Sequence, residues 1–184
     1  NGQSFQQIGT DGGLLPAPVT LNQVTLGPAE RADLILDFAA HAPGTQIVLE
    51  NSAEAPFPGG DPMHDIPNVM KFIVQGQAGF TGTIPAALRP LETLNPAQAV
   101  MTRDLTLQKT TDPCAGSIWL INGMHWDHIH EHPELGTTEI WSFINRSGIS
   151  HPMHMHLGFF QVLDRQDFDV VLGEVVPVGS PVPP

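Results

Sequence analysis

The sequence predicts an all-β sandwich or barrel. Three observations lead there. Its apolar segments are short and alternate with polar residues, as half-buried strands do. Turn formers separate them: eighteen glycines and eighteen prolines fall within 184 residues, against an average share of roughly 12% for the two together. No window keeps a helical apolar period over several turns, which excludes long helices and coiled coils.

The strands follow in order. Ala32–Phe38, Gln46–Glu50, Val69–Val74, Asp104–Gln108, Ser117–Ile121, Glu139–Asn145 and Phe159–Leu163 each have strand length and β-branched or aromatic content. Pro43-Gly44, Pro58-Gly59-Gly60-Asp61-Pro62, Asn122-Gly123 and Ser147-Gly148 punctuate them. Asn122-Gly123 after an apolar strand predicts a type I′ turn, whose two central residues both take positive φ. Seven strands at this spacing suit a sandwich or barrel. Gly76–Gln98, rich in glycine and proline and poor in alternation, reads as a linker between two β units. Val176–Pro184 also reads as linker.

Composition excludes several functions. With 7 basic and 19 acidic residues the formal net charge is −12. The basic residues are scattered, whereas nucleic acid needs clustered Lys and Arg. No apolar run reaches the 18 or so residues of a membrane helix, so neither nucleic acid nor membrane is an expected partner. Asn1–Thr10 has neither the basic start nor the apolar stretch of a signal peptide, and the chain reads as cut from something longer. Cys114 stands alone, which excludes an internal disulfide and a Cys-x-x-Cys site, and reads as a loop thiol.

Nine histidines against one cysteine is the unusual ratio. The densest run is His151-Pro152-Met153-His154-Met155-His156. Three imidazoles in six residues is a metal-ligand density, and imidazole suits copper, zinc, iron and nickel. On a strand, His154 and His156 share a face about 7 Å apart and can serve one metal or two adjacent metals. His151 has the opposite parity, and Pro152 interrupts regular pairing, so His151 is expected at a different site. Met153 and Met155 are expected to pack rather than to ligate. A second run, His125-Trp126-Asp127-His128-Ile129-His130-Glu131-His132, follows the Asn122-Gly123 turn and precedes Pro133. The alternation of His128, His130 and His132 also suits a ligand set on one face, but the run reads first as a solvated loop, which could still capture adventitious zinc or nickel. His41 and His64 are isolated and are not expected to ligate.

At this point the residues match a family. His151-Pro152-Met153-His154-Met155-His156-Leu157 resembles the His-Pro-x-His-x-His segment of multicopper oxidases. Gly136-Thr137-Thr138-Glu139-Ile140-Trp141 and Phe160-Gln161-Val162-Leu163-Asp164-Arg165 are similar to its flanks in the bacterial laccase type, the group of spore-coat laccase, bilirubin oxidase and phenoxazinone synthase. Upstream, Ile8–Leu15 and Gly27–Asp33 resemble the end of that group's second domain.

The resemblance implies a cupredoxin-like Greek-key β-sandwich and parts of two cupredoxin domains. Residues 1–78 would be the C-terminal part of the second domain, 79–102 an interdomain linker, and 103–184 the N-terminal part of the third. It implies copper, as a type 1 site and a trinuclear type 2/type 3 cluster. His151 would ligate the type 1 copper, where electrons enter. His154 would bind type 2 copper, and His156 one type 3 copper. Each imidazole should be fixed by a partner on its other nitrogen, which the sequence does not name. O₂ and small aromatic reductants are the implied partners, together with the remaining cupredoxin segments of the parent or a neighbouring chain. The implied location is extracellular, periplasmic or spore-coat rather than cytoplasmic.

The chain also departs from the family pattern. Two His-x-His segments belong to a first domain absent here, and a His-Cys-His segment is expected beyond Pro184. Cys114 lies too far upstream to replace that cysteine. A type 1 site needs thiolate with two imidazoles, so the isolated chain is expected to be inactive and to show no blue thiolate absorption with Cu(II). Two alternatives remain open from the residues. One is a cupin-like mononuclear metal enzyme built on His154 and His156. The other is a non-catalytic copper-binding module.

Overall fold

A computed structural model describes residues 2–62 and 66–183. His64 lies outside the described residues. The strands are β1 (Phe5–Thr10), β2 (Gly13–Leu21), β3 (Ala32–Ile35), β4 (Gln46–Glu50), β5 (Glu54–Ala55), β6 (Asp61–Pro62), β7 (Asn68–Ile73), β8 (Met101–Asp112), β9 (Gly116–Ile121), β10 (Glu139–Asn145), β11 (Arg165–Val171) and β12 (Glu174–Val182). A single 3₁₀ turn, Pro96–Gln98, is the only helical element among the described residues. The all-β expectation holds. Two compact units divide the chain, Asn1–Met153 and His154–Pro184.

In the first unit the strands form sheets ordered β2-β1-β3, β10-β8-β9, β4-β7 and β5-β6. Strand β8 organises the second of these. It pairs in parallel with β10 along Met101–Leu107 and antiparallel with β9 along Leu107–Asp112. Its alternation places Leu105 and Leu107 on one face, and both are buried. This strand runs well beyond the expected Asp104–Gln108. Two different partners continue its ladder at either end, through polar residues whose sequence carries little strand signal. Strands β4 and β10 coincide with their predicted bounds. Asn122 and Gly123 have φ of 51° and 77°, and Met124 N donates back to Ile121 O at 2.9 Å, so the predicted I′ turn is present. Between Ile73 and Pro96 the chain has no strand.

Two expectations fail, and strands β1, β2, β5, β6 and β11 go beyond those expected; β2 carries two prolines that weaken a strand reading. Phe159–Leu163 forms no strand. Leu157, with φ of 63°, and a Gly158 N to His156 O bond at 2.8 Å turn the chain just before it. Its apolar residues stay exposed, Phe159 at 81%, and no ladder reaches them among the described residues. Val176–Pro184 is not linker over most of its length. Val176–Val182 belongs to β12, which pairs antiparallel with β11 in the second unit. Pro177 is tolerated opposite Phe168 because each strand of a two-stranded ribbon has an open edge that needs no N–H. The connecting residues, Leu172 and Gly173, have φ of 53° and 92°, a tight hairpin geometry that a leucine hides in the sequence.

Candidate metal centre

The first unit delivers His151. Parallel pairing sets Arg103 beside Trp141 and Leu107 beside Asn145, so Glu139, Trp141 and Asn145 lie on the face that carries Arg103. Arg103 forks onto Glu139 through Nε at 2.6 Å and a terminal nitrogen at 3.0 Å, and Trp141 Nε1 donates to the same carboxylate at 2.9 Å. Hydrogen bonds from Arg103 and then Trp141 lower the Glu139 pKa from 4.5 to about 2. Its carboxylate pushes the Arg103 pKa up.

Where β10 ends, Asn145 folds the following loop onto itself. Its Oδ1 accepts from Ser147 N at 3.1 Å and its Nδ2 donates to Ile149 O at 2.7 Å, an Asx-type turn. Ser150 N then donates to Phe57 O at 2.7 Å. Next comes His151, half-buried. Its Nε2 lies 3.0 Å from Ser147 Oγ, and its ring meets Trp119 edge to face at 4.3 Å between centroids. Lys109 Nζ sits 5.5 Å from the Trp119 ring. Beside it, Lys109, Trp119, Arg146, Ser147, Gly148 and Ile149 line an open cavity of about 360 Å³.

Pro152 closes against Gly27. A Cβ on Gly27 would stand 2.9 Å from Pro152 Cβ and Cγ, too close for either to stay in place. Gly27→Ala is therefore expected to displace the His151 segment and to cost about 1–3 kcal/mol, read as a lower denaturation midpoint than wild type. An unchanged midpoint would show that the contact yields freely.

His154 and His156 lie in the second unit. The strand expected around them is absent. Pro152 offers no N–H, and the turn at Leu157-Gly158 bends the chain directly after His156. Face-sharing by strand alternation is thus not how they meet. Their rings nevertheless come together, 4.9 Å between centroids and nearly perpendicular. Met155 is 37% exposed, so its expected burial is not seen in this unit, and its Sδ reaches toward Gly158 instead.

His125 to His132 occupy an irregular loop with Trp126 91% exposed, and His130 Nδ1 pairs with Glu131 Oε1 at 3.2 Å. His41 Nε2 pairs with Gln3 Oε1 at 2.8 Å. Cys114 is an exposed thiol in the turn between β8 and β9. There Asp112 accepts from Cys114 N at 2.8 Å and Ala115 N at 2.7 Å, which lowers the Asp112 pKa.

The donors suit copper by type, since imidazole is one of its preferred protein ligands. They fit as part of a ligand set. No group of three or more His, Cys, Asp or Glu that could hold a metal forms among the described residues. Sequence reasoning missed Ser147 and Trp119 as neighbours of His151. Only the Asn145-to-Ser147 spacing, a turn signal, hinted at the first.

Comparison with known proteins decides the family. A family model for multicopper oxidases matches residues 93–176. A laccase from Bacillus subtilis (strain 168) is 42% identical over 193 residues, covering 100% of this chain and 37% of that protein. The chain belongs to the multicopper oxidase family. A laccase from Bacillus stratosphericus is 40% identical, across 97% of this chain and 36% of that protein. Among solved structures, the multicopper oxidase McoA from Aquifex aeolicus superposes with a TM-score of 0.71 at 26% identity, over 99% of this chain and 41% of that one. The cupredoxin fold expected from the resemblance is therefore confirmed. This multicopper oxidase segment spans little more than a third of the length of the curated laccases it matches. A cupin-like enzyme is not favoured, because the match runs collinearly along the whole chain.

Proposed function

We propose that these residues are part of a copper-dependent oxidase that couples one-electron oxidation of phenolic or aromatic-amine reductants to four-electron reduction of O₂ to water. One observation supports this most: the paired rings of His154 and His156, 4.9 Å apart, just downstream of a half-buried His151 whose Nε2 is already held. Copper, when bound, supplies the one-electron redox couple that amino-acid side chains lack.

The chain's own residues position that chemistry. His151 would ligate the type 1 copper, with Trp119 packed against its ring. His154 would hold type 2 copper and His156 one type 3 copper. The missing thiolate and imidazoles would come from the remaining cupredoxin segments of the parent or a neighbouring chain. We assign residues 1–78 to the end of a second cupredoxin domain, 79–102 to a linker, and 103–184 to part of a third. The bacterial laccase relatives support a location outside the cytoplasm, whether extracellular, periplasmic or in a spore coat.

The test is oxygen consumption by the copper-loaded full-length protein with a phenolic reductant. Four reductant molecules should be oxidised for each O₂, with water as product. Peroxide as the product, or one iron and no copper on metal analysis, would reject the reading.

A further inference from the structure

The loop that carries His151 holds a hydrogen-bond network whose donors and acceptors can be counted. Asn145 Oδ1 accepts the Ser147 backbone N–H, and Asn145 Nδ2 donates to Ile149 O. A backbone N–H only donates and a backbone carbonyl only accepts, so the amide has one allowed orientation. Ser147 Oγ consequently faces two carbonyl oxygens, Asn145 Oδ1 at 2.7 Å and Ile149 O at 3.0 Å. Neither can donate. The hydroxyl has a single proton, and one of these two oxygens must receive it. If it went to His151, the serine oxygen would face both acceptor oxygens, at 2.7 and 3.0 Å, with no hydrogen toward either, two repulsive contacts in place of at most one.

A serine lone pair is therefore what meets His151 Nε2 at 3.0 Å, and Nε2 must carry a hydrogen. In a neutral imidazole the other nitrogen, Nδ1, is then bare. The Trp119 ring against the imidazole at 4.3 Å opposes a flip of the histidine ring, which would put Cε1 rather than Nε2 against Ser147.

We propose that Ser147, itself held by Asn145, is a positioning residue that sets the Nε2–H tautomer of His151 and so presents Nδ1 to the metal. This rests on the reading of His151 as a copper ligand given above. The sequence expectation that each ligating imidazole is fixed through its other nitrogen thereby acquires a named partner.

The test uses nitrogen NMR of isotope-labelled histidine in the copper-free full-length protein, at a pH where the imidazole is neutral. Wild-type His151 should show a protonated Nε2 and a bare Nδ1. Ser147→Ala should give a mixture of tautomers and about 10–100-fold weaker retention of type 1 copper against a competing chelator. Ser147→Thr, which keeps the hydroxyl, should restore both. A wild-type His151 protonated on Nδ1 would overturn the proposal without any variant having to fold. So would a Ser147→Ala protein whose tautomer is unchanged. The ligand role has its own readout. If His151→Ala retains the blue copper, the ligand assignment fails, and that failure is distinguishable because the tautomer shifts are measured without metal.

Discussion

On the proposed assignment, replacing His151 with alanine in the copper-loaded full-length protein is expected to abolish blue absorption and the oxidation of phenols. Replacing His154 is expected to leave the blue absorption in place and to abolish oxygen consumption. The split follows from where the two imidazoles stand. His151 is packed against Trp119 and tied to Ser147 in the first unit. His154 meets His156 ring to ring in the second. A blue site requires thiolate with two imidazoles, so losing one removes its characteristic ligand field. On the proposed assignment the paired imidazoles would help hold the copper that reduces O₂, so removing one of them would stop oxygen consumption without removing a type 1 ligand. Turnover should fall by more than the roughly 10–100-fold that loss of an outer-shell partner costs. Visible absorption with an oxygen electrode reads both arms. A His151→Ala protein that stays blue would refute the assignment.

Replacing Glu139 with glutamine lowers the denaturation midpoint at neutral pH, and the gap to wild type closes on acidification. The Glu139 side chain is 7% exposed and carries three hydrogen bonds, two from Arg103 and one from Trp141. Removing its charge leaves Arg103, 20% exposed, without its counter-charge on the inner face of the sheet. Breaking one partner of such a pair costs far more than the pair contributes when intact. The folded pKa of about 2 lies below the ordinary 4.5. The carboxylate's contribution is therefore fully present above about pH 4.5 and is lost as pH falls through about 2. Denaturation midpoints of both proteins between those limits check the sign. A gap that widened on acidification would contradict it. Replacing both partners, Arg103→Met with Glu139→Leu, should recover much of the loss, because no unpaired charge remains.

Much of the strand inventory was legible in the sequence. Gln46–Glu50 and Glu139–Asn145 announce themselves by β-branched and aromatic residues between turn formers, and Asn122-Gly123 has few conformations open to it besides a tight hairpin turn. Phe159–Leu163 shows the limit. It has strand composition, yet a strand exists only where a ladder partner stands, and partners are not a local property. The reverse happened at Val176–Val182, where prolines suggested a linker and pairing with β11 made a strand. The candidate histidine segment stands out in the sequence for a different reason. Its three imidazoles lie within six consecutive residues, so no long-range contact is needed to see them.

What the sequence alone determined is the chemistry available: imidazole donors in one short run, a single cysteine outside that run, a net negative charge, and a β architecture dense in turns. Tertiary structure decided how those donors are presented. Glu139 finds Arg103 across 36 residues only because β8 and β10 run in parallel. His154 and His156 come together through a turn rather than along a strand. Ser147 reaches His151 only because Asn145 coils the loop between them. Composition fixes which atoms can bind a metal. Which lone pair of His151 is free to do so depends on a count of hydrogens in a folded loop, and folding is what brings those atoms within reach.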